Sequence, residues 1–194
     1  MNGQPRERVI LGIDPGTTVM GYGVLLEEGR SARLLDAGAL RLNAAHDHTL
    51  KLREIFRFTQ ALIDKHHPDE LAIEAQFFGK NVQSMLKLGR AQGVAIAAAL
   101  NRDLAVVEYA PKRVKQSITG NGNATKEQVA AMLLSILRLA ELPASTDATD
   151  AVAVAVCHHF AAGTVARPTR HAPSRGTSDW GSFVRNNPER VKKG

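Results

Sequence analysis

The sequence lacks the features that would mark an exported or membrane-embedded protein. Only one of its 194 residues is a cysteine, Cys157, so no intrachain disulfide can form, which favours a reducing compartment. No run of 18 apolar residues occurs, and no basic start leads into an apolar stretch as in a secretory signal. We therefore expect a cytoplasmic protein that does not contact a membrane.

Two common kinds of binding site are also missing from the sequence. The glycine-rich stretch Gly120–Asn123 is not followed by Gly-Lys-Ser/Thr and does not come directly from a buried strand, which excludes a phosphate-binding loop. The seven histidines show no ligand-like spacing with cysteine or glutamate, so a structural zinc is not expected.

The positive charge is concentrated near the C terminus. The net charge is +6, yet the stretch from residue 163 onward holds seven basic residues against two acidic ones and is rich in Pro, Ser and Gly. We expect residues 1–162 to form one compact domain and residues 163–194 to form a basic, disordered tail. Such a tail either adds electrostatic affinity for a polyanion or only keeps the protein in solution.

Periodicity predicts an α/β fold with one mixed sheet. Three apolar strands come first, the second and third joined by a hairpin turn at Glu27–Arg30. Later segments alternate between helical spacing and short apolar runs. The predicted elements are strands near residues 9–14, 21–26, 32–40, 71–74 and 104–109, and helices at 47–65, 82–100, 125–139 and 145–160, with a helical or irregular segment from Pro111. Five strands with helices on both faces follow from this order.

Two of these strands end on an acid. The run Val9–Ile13 stops at Asp14 before Pro15-Gly16, and Leu71–Ile73 stops at Glu74. Asp14 alone could serve only to bond backbone N–H groups of the turn. Two carboxylates side by side at the ends of neighbouring strands repel each other, however, unless a cation lies between them. The pair therefore favours a metal site.

A second pair of acids opens the last helix. Asp147 and Asp150 are three residues apart and lie on one face of its first turn. Acids there gain from the helix dipole without any function. The helix is otherwise apolar, so buried acids at its start would need a partner. With Asp14 and Glu74 they could hold two Mg²⁺ ions, or Mn²⁺ in their place, as in phosphodiester hydrolysis.

Several collinear motifs make the chain similar to the RuvC family of crossover junction endodeoxyribonucleases. The motifs are Gly12-Ile13-Asp14-Pro15-Gly16, Gly21-Tyr22-Gly23-Val24, Ala72-Ile73-Glu74, Lys80-Asn81, Leu86-Lys87-Leu88-Gly89, Gly93-Val94-Ala95-Ile96, Glu108-Tyr109-Ala110, Val114-Lys115-Gln116 and Asp147-Ala148-Thr149-Asp150-Ala151. The resemblance covers about residues 8–160. It implies an RNase H-like fold and a homodimer that cuts four-way (Holliday) junctions by paired, symmetric nicks with Mg²⁺. It also implies a RuvA–RuvB branch-migration complex as a partner.

The resemblance assigns roles to individual residues. Asp14, Glu74, Asp147 and Asp150 occupy the catalytic, metal-binding positions. Phe77 matches an aromatic residue set against junction bases, and Lys115 and Lys126 match basic residues near the cut strand. Further cations could contact phosphates or simply be solvated. The full set of expected DNA-binding residues is Phe77, Lys80, Lys87, Arg90, Lys112, Lys115 and Lys126.

The sequence allows more than one role for each of two features. Glu108 also ends a strand and could be a fifth ligand, but the resemblance gives it no catalytic role, and we expect none. The small residues Gly89, Gly93 and Ala97 recur every four positions on one helix face. That stripe permits close packing, either against the sheet or against a second copy of the chain.

Three other functions compete with junction cleavage. Asp14-Pro15-Gly16-Thr17-Thr18 also resembles the first phosphate loop of sugar kinases and actin, although those proteins need two such domains. A non-catalytic junction-binding protein would keep the fold but lose acids, and all four are present. An RNase H-like nuclease acting on ribosomal RNA precursors would share the first motif but not the blocks at Lys87–Gly89 and Val114–Gln116.

Overall fold

The computed structural model describes residues 7–76 and 81–161, and these form five strands and five helices. The strands are β1 (Arg8–Asp14), β2 (Val19–Glu28), β3 (Ser31–Arg41), β4 (Glu70–Glu74) and β5 (Ala105–Tyr109). The helices are α1 (His48–His66), α2 (Val82–Leu100), α3 (Pro111–Thr119), α4 (Lys126–Leu137) and α5 (Thr146–Ala161). The predicted order is confirmed, and the segment from Pro111 is a regular helix. No helix in the described ranges is long and apolar enough to span a membrane.

The strands form one mixed sheet in the order β3-β2-β1-β4-β5. β1, β4 and β5 run parallel, while β2 pairs antiparallel with both β1 and β3. The β2–β3 pair is the predicted hairpin, which turns at Gly29 in the left-handed conformation. The parallel part brings the carboxyl ends of β1 and β4 to the same edge of the sheet, which is the arrangement that the two strand-end acids require.

Both faces of the sheet are covered, because side chains alternate between two cores along each strand. On one face, Leu11 and Ile13 pack with residues of α1 and α2, such as Ile55 and Ala95. On the other, Ile10 and Ala72 pack against α5 and the helices α3 and α4. α5 is buried along nearly its whole length, as its apolar sequence predicts, and Cys157 lies within that core.

The stripe of Gly89, Gly93 and Ala97 on α2 does not face the sheet. Ala91, Ala95 and Ala99 of the same helix pack in the core with the strands, whereas Gly89, Gly93 and Ala97 are exposed. A Cβ added at Gly89 or Gly93 would meet nothing within 4 Å among residues 7–76 and 81–161. Packing within the described residues therefore does not explain these glycines, and of the two interpretations of the stripe, contact with the sheet is wrong.

A buried polar network fixes the far end of α5. Arg8 donates to Glu70 and to Glu27, each at 2.7 Å. Glu27 is also bonded to His159 and Glu70 to His158, whose Nδ1 lies 2.8 Å from the Tyr109 hydroxyl. Buried charges need such partners, since an unpaired one is strongly destabilising. The network holds α5 in register on the sheet, with its first turn at the opposite edge.

Candidate active site

Strand pairing places Asp14 and Glu74 side by side. Ile13 of β1 is aligned with Ile73 of β4, so the next residues, Asp14 and Glu74, are neighbours at the carboxyl ends of parallel strands. Both point to the face that α5 covers, because side chains alternate and Ile13 and Ile73 occupy the opposite core. The predicted proximity of the two strand-end acids thus follows from topology and register together.

Glycines let α5 approach these acids closely. Asp14 pairs with Gly21 across β1 and β2, and a Cβ added at Gly21 would lie 1.9 Å from the Asp147 carbonyl oxygen. An added Cβ at Gly12 would come within 2.4 Å of the Ala151 carbonyl oxygen. The helix therefore rests directly on backbone, and its first turn brings Asp147 and Asp150 over the two strand-end acids. The sequence showed the Gly21-Tyr22-Gly23 pattern, but its role was not predicted.

The charges of the four carboxylates act on one another. The pKa of Asp14 is raised to about 7, chiefly by burial and then by the charges of Glu74, Asp150 and Asp147. The pKa of Glu74 is also raised to about 7, again chiefly by burial and then by Asp150. Such shifts mean that the site, as the chain alone forms it, holds more negative charge than its surroundings neutralise. Clustered acids with raised pKa values are typical of functional sites.

Two polar side chains donate hydrogen bonds to the helix acids. Ser145 Oγ donates to Asp147 at 3.2 Å, and Lys126 Nζ donates to Asp150 at 2.6 Å. Lys126 is the first residue of α4, which begins with the predicted capping box between Thr125 and Gln128. The Lys126 charge lowers the pKa of both Asp14 and Glu74, and Lys115 adds to that effect on Glu74. The two lysines that the resemblance placed near the cut strand thus lie beside the acids.

The donor chemistry of this cluster suits a hard divalent cation. Carboxylate oxygens are the ligands that Mg²⁺ and Mn²⁺ prefer, and a cation would relieve the repulsion that raises the pKa of Asp14 and Glu74. In the part of the chain that the structure describes, no three His, Cys, Asp or Glu side chains are placed so that together they could hold a metal ion. Asp150 is instead engaged by Lys126. Metal binding therefore requires the acidic side chains to move closer together, and Asp150 can contribute the oxygen that does not bond Lys126.

Glu108 lies on the wrong face for this site. It is aligned with Ile73, one residue before Glu74, so it points to the α2 side of the sheet. There its carboxylate accepts from Gln92 Nε2 at 2.5 Å. The expectation that Glu108 is not a fifth ligand is consistent with this geometry, since alternation along β5 separates it from the acids.

The five expected DNA-binding residues that the structure describes fall in three places. Lys115 and Lys126 lie beside the acids, and Lys112 lines an open cleft between α3 and the following loop, with Arg113, Gln116, Asn121, Gly122 and Asn123. Lys87 and Arg90 are exposed on α2, on the other face of the sheet, near His48. Phe77 and Lys80 lie outside the described residues. The structure therefore brings together only part of the predicted phosphate-contacting band.

The raised pKa values predict how stability depends on pH when no divalent ion is bound. A carboxyl group whose pKa is higher in the folded state favours folding while it is protonated. As pH rises from about 4 to about 7, Asp14 and Glu74 should therefore lower the free energy of unfolding, each by at most about 1.4 kcal/mol per pH unit.

We expect a D14N/E74Q double variant to lack this loss. Denaturant unfolding of both proteins in chelator at several pH values measures the difference between the curves, so that other titrating groups cancel. A constant difference between pH 4 and pH 7 would contradict the electrostatic coupling described above.

Comparison with known proteins identifies relatives over nearly the whole chain. The family model described as crossover junction endodeoxyribonuclease RuvC matches residues 10–158. The RuvC of Cytophaga hutchinsonii is 54% identical over 186 residues, which cover 96% of this chain and 89% of that protein. The RuvC of Porphyromonas gingivalis is 54% identical over 191 residues, covering 97% and 99%.

Solved structures agree with the sequence relatives. Thermus thermophilus RuvC has a TM-score of 0.74 at 35% identity and covers 80% of this chain and 95% of its own. The same protein in complex with a Holliday junction substrate gives 0.73 at 33% identity, with the same coverage. A yeast mitochondrial Holliday junction resolvase, at 13% identity and a TM-score of 0.58, shares the fold. The predicted RNase H-like fold is confirmed.

Proposed function

The chain belongs to the RuvC family of crossover junction endodeoxyribonucleases, and we propose that it resolves four-way DNA junctions by paired, symmetric nicks in the presence of Mg²⁺. Cleavage of this kind serves homologous recombination and DNA repair. The proposal rests on one observation above all. Two strand-end acids and two helix acids face one another at one edge of the sheet, and two of them have a pKa of about 7.

In this proposal, two of the acids are held by strands and two by a helix. Asp14 and Glu74 sit on rigid parallel strands, and Asp147 and Asp150 on the first turn of a buried helix. Together they would hold two Mg²⁺ ions, for which Mn²⁺ could substitute. When bound, the metal supplies an activated water and stabilises the oxygen that leaves the phosphodiester. Lys115 and Lys126 contribute positive charge beside the same point, where the cut phosphate would lie.

The competing functions are less well supported. The sugar kinase and actin interpretation is wrong, since the family match spans residues 10–158. A non-catalytic junction-binding protein would not need four acids held in repulsive proximity. We place the protein in the cytoplasm, as the single cysteine favours a reducing compartment. A RuvA–RuvB branch-migration complex is the partner that the family implies.

A comparison of three nucleic acid substrates tests the proposal. Purified full-length protein should nick a synthetic four-way junction at two symmetric positions in Mg²⁺ and leave it intact in chelator. A linear duplex of the same sequence and a structured RNA should remain largely uncut. Equal cutting of the RNA would favour the RNA-processing alternative instead, and cutting in chelator would contradict a role for the metal.

Junction binding should depend steeply on salt even without metal, because cations that contact phosphates release counterions. Removing residues 164–194 should reduce the slope of log affinity against log salt by about 0.9 for each duplex phosphate that the tail neutralises. Fluorescence anisotropy in chelator over a salt series measures both slopes. An unchanged slope would mean that the tail, whose residues are outside the described ranges, does not touch DNA.

The proposed active unit is a two-fold dimer, because a four-way junction has two equivalent strands to cut and one chain holds a single acid cluster. The exposed face of α2 is the proposed contact. It presents Val82, Leu86, Gly89 and Gly93, and the two glycines leave open space above the helix. Helices with such small residues can pack closely against a copy of themselves.

A bulky charge on this face should separate the subunits. We expect Gly93→Arg to produce a monomer in sedimentation at micromolar concentration and to abolish the coordinated cutting of both strands. Gly89→Ala, which adds only a methyl group, is the milder companion variant and should stay dimeric. A Gly93→Arg protein that sediments as a dimer would place the interface elsewhere.

A further inference from the structure

Gln116 uses both ends of its amide to close the loop that follows α3. Its Nε2 donates to the Gly120 carbonyl at 2.6 Å, and its Oε1 accepts from the Gly122 backbone N–H at 2.9 Å. The helix ends at Gly120 in the left-handed conformation, with its N–H bonded to the Gln116 carbonyl. The side chain therefore spans the turn and fixes the direction in which the chain leaves α3.

Hydrogen bonds also hold the chain between the Gln116 contacts and α4. Thr119 Oγ1 donates to the Asn121 carbonyl at 3.0 Å, and Asn121 Oδ1 accepts from the Asn123 N–H at 2.9 Å. Ala124 is then buried in the core, and Thr125 caps α4. Each residue from Thr119 to Thr125 is held by a hydrogen bond or by burial. A displacement of the loop would therefore also displace the first residue of α4.

That first residue is Lys126, whose ammonium group lies 2.6 Å from Asp150. The core holds α4 through Val129, Leu133 and Leu137, but its first turn is exposed. The Lys126 side chain is itself 67% exposed, so few of its own contacts restrain it. Its position over the acid cluster thus depends on where the loop sets the start of α4.

We infer that Gln116 is a positioning residue for strand cleavage, which holds Lys126 over the acid cluster through the Gly120–Asn123 loop. The inference rests on the proposed function. In the described ranges Gln116 has no hydrogen bond or ion pair to any of the four acids. Its effect must therefore pass through Lys126, and that dependence can be measured.

The test uses Gln116→Met, which keeps the length of the side chain but makes neither hydrogen bond. Single-turnover cleavage at saturating junction and Mg²⁺ should fall by about tenfold, since small misplacements of a catalytic group are costly. Junction affinity in chelator should change less than about twofold. Ser117→Ala is the control on the same helix, because Ser117 Oγ donates to the Val114 carbonyl within α3 at 2.8 Å and its other contact is with Cys157 of α5 and not with the loop.

A double-mutant cycle with Lys126→Ala separates positioning from general structural damage. If Gln116 acts through Lys126, adding Gln116→Met to Lys126→Ala should slow cleavage little further. Independently of activity, hydrogen exchange at Gly122 and in the first turn of α4 should accelerate in Gln116→Met. Equal losses in both backgrounds, or an unchanged rate in the single variant, would overturn the inference.

The outcomes also separate this inference from the function on which it rests. A wild-type chain that cuts no four-way junction would overturn both. Normal wild-type cleavage together with unchanged cleavage or hydrogen exchange in Gln116→Met would overturn only the role of Gln116.

Discussion

Replacing any one of Asp14, Glu74, Asp147 or Asp150 by its amide should slow junction cleavage on the order of 10² to 10⁴-fold in Mg²⁺. The amide has nearly the same shape but carries no charge, and its oxygen is a much weaker ligand for Mg²⁺. Binding of the junction should persist or tighten, because one repulsive charge near the phosphate has been removed. Single-turnover cleavage and anisotropy in chelator measure the two effects separately.

The effects of the four changes should be strongly non-additive. A cluster that has lost one ligand gains little from the other three, so a double amide variant should be about as slow as the slower single one. Glu108→Gln is the matched control, because its carboxylate lies on the opposite face of the sheet and is bonded to Gln92. The site assignment fails if Glu108→Gln is as inactive as the other variants, or if one of the four acids is dispensable in Mg²⁺.

Gly21→Ala should damage both the stability of the fold and the activity of the site. The added Cβ would lie 1.9 Å from the Asp147 carbonyl oxygen, and the nearest atoms are all backbone atoms that cannot rotate away. The first turn of α5 must therefore move, and overpacking of this kind costs roughly 1 to 3 kcal/mol of unfolding free energy. Because Asp147 sits on that turn, cleavage by the folded protein should fall about 10²-fold as well.

Denaturant unfolding and single-turnover cleavage of the same preparation measure these two effects. Gly89→Ala is the comparison for stability, since its added Cβ would meet nothing within 4 Å in the part of the chain that the structure describes, and alanine is a better helix former than glycine. Its free energy of unfolding should not fall. A Gly21→Ala protein as stable and as active as the wild type would contradict the close packing of α5 against the sheet.

Much of the fold could be predicted because local patterns and tertiary structure agree. The run from Val9 to Ile13 is apolar throughout, which is typical of a strand buried on both faces, and β1 is the central strand of the sheet. The capping box at Thr125 marked the start of α4 within one residue. Each of these signals depends on neighbours in sequence, so no long-range information was needed.

The proximity of the acids could be predicted only in part. Adjacent parallel strands bring their carboxyl ends together, so the sequence predicted Asp14 beside Glu74 provided that β1 and β4 are neighbours, which the sheet order shows. Where α5 lies depends on Gly12, Gly21 and Gly23, whose missing side chains leave room that periodicity does not reveal. The ion pair between Lys126 and Asp150 joins residues 24 positions apart and needs the packed structure.

The α2 stripe and Glu108 show how a structure decides between interpretations that a sequence leaves open. Small residues at every fourth position favour close packing, but the sequence does not say what packs there. The exposure of Gly89 and Gly93 excludes the sheet. Likewise, Glu108 ends a strand as Glu74 does, and only the register of β4 with β5 shows that the two acids point to opposite faces.

Anomalous diffraction from crystals of the full chain in Mn²⁺ tests the central claim most directly. Manganese gives an anomalous signal that magnesium lacks, and it prefers the same oxygen ligands. We expect manganese peaks coordinated by Asp14, Glu74, Asp147 and Asp150. The Asp14→Asn protein in the same crystal form should show them weakened or absent. Manganese bound only at other residues, or peaks unchanged in Asp14→Asn, would contradict the assignment of these acids as the metal site.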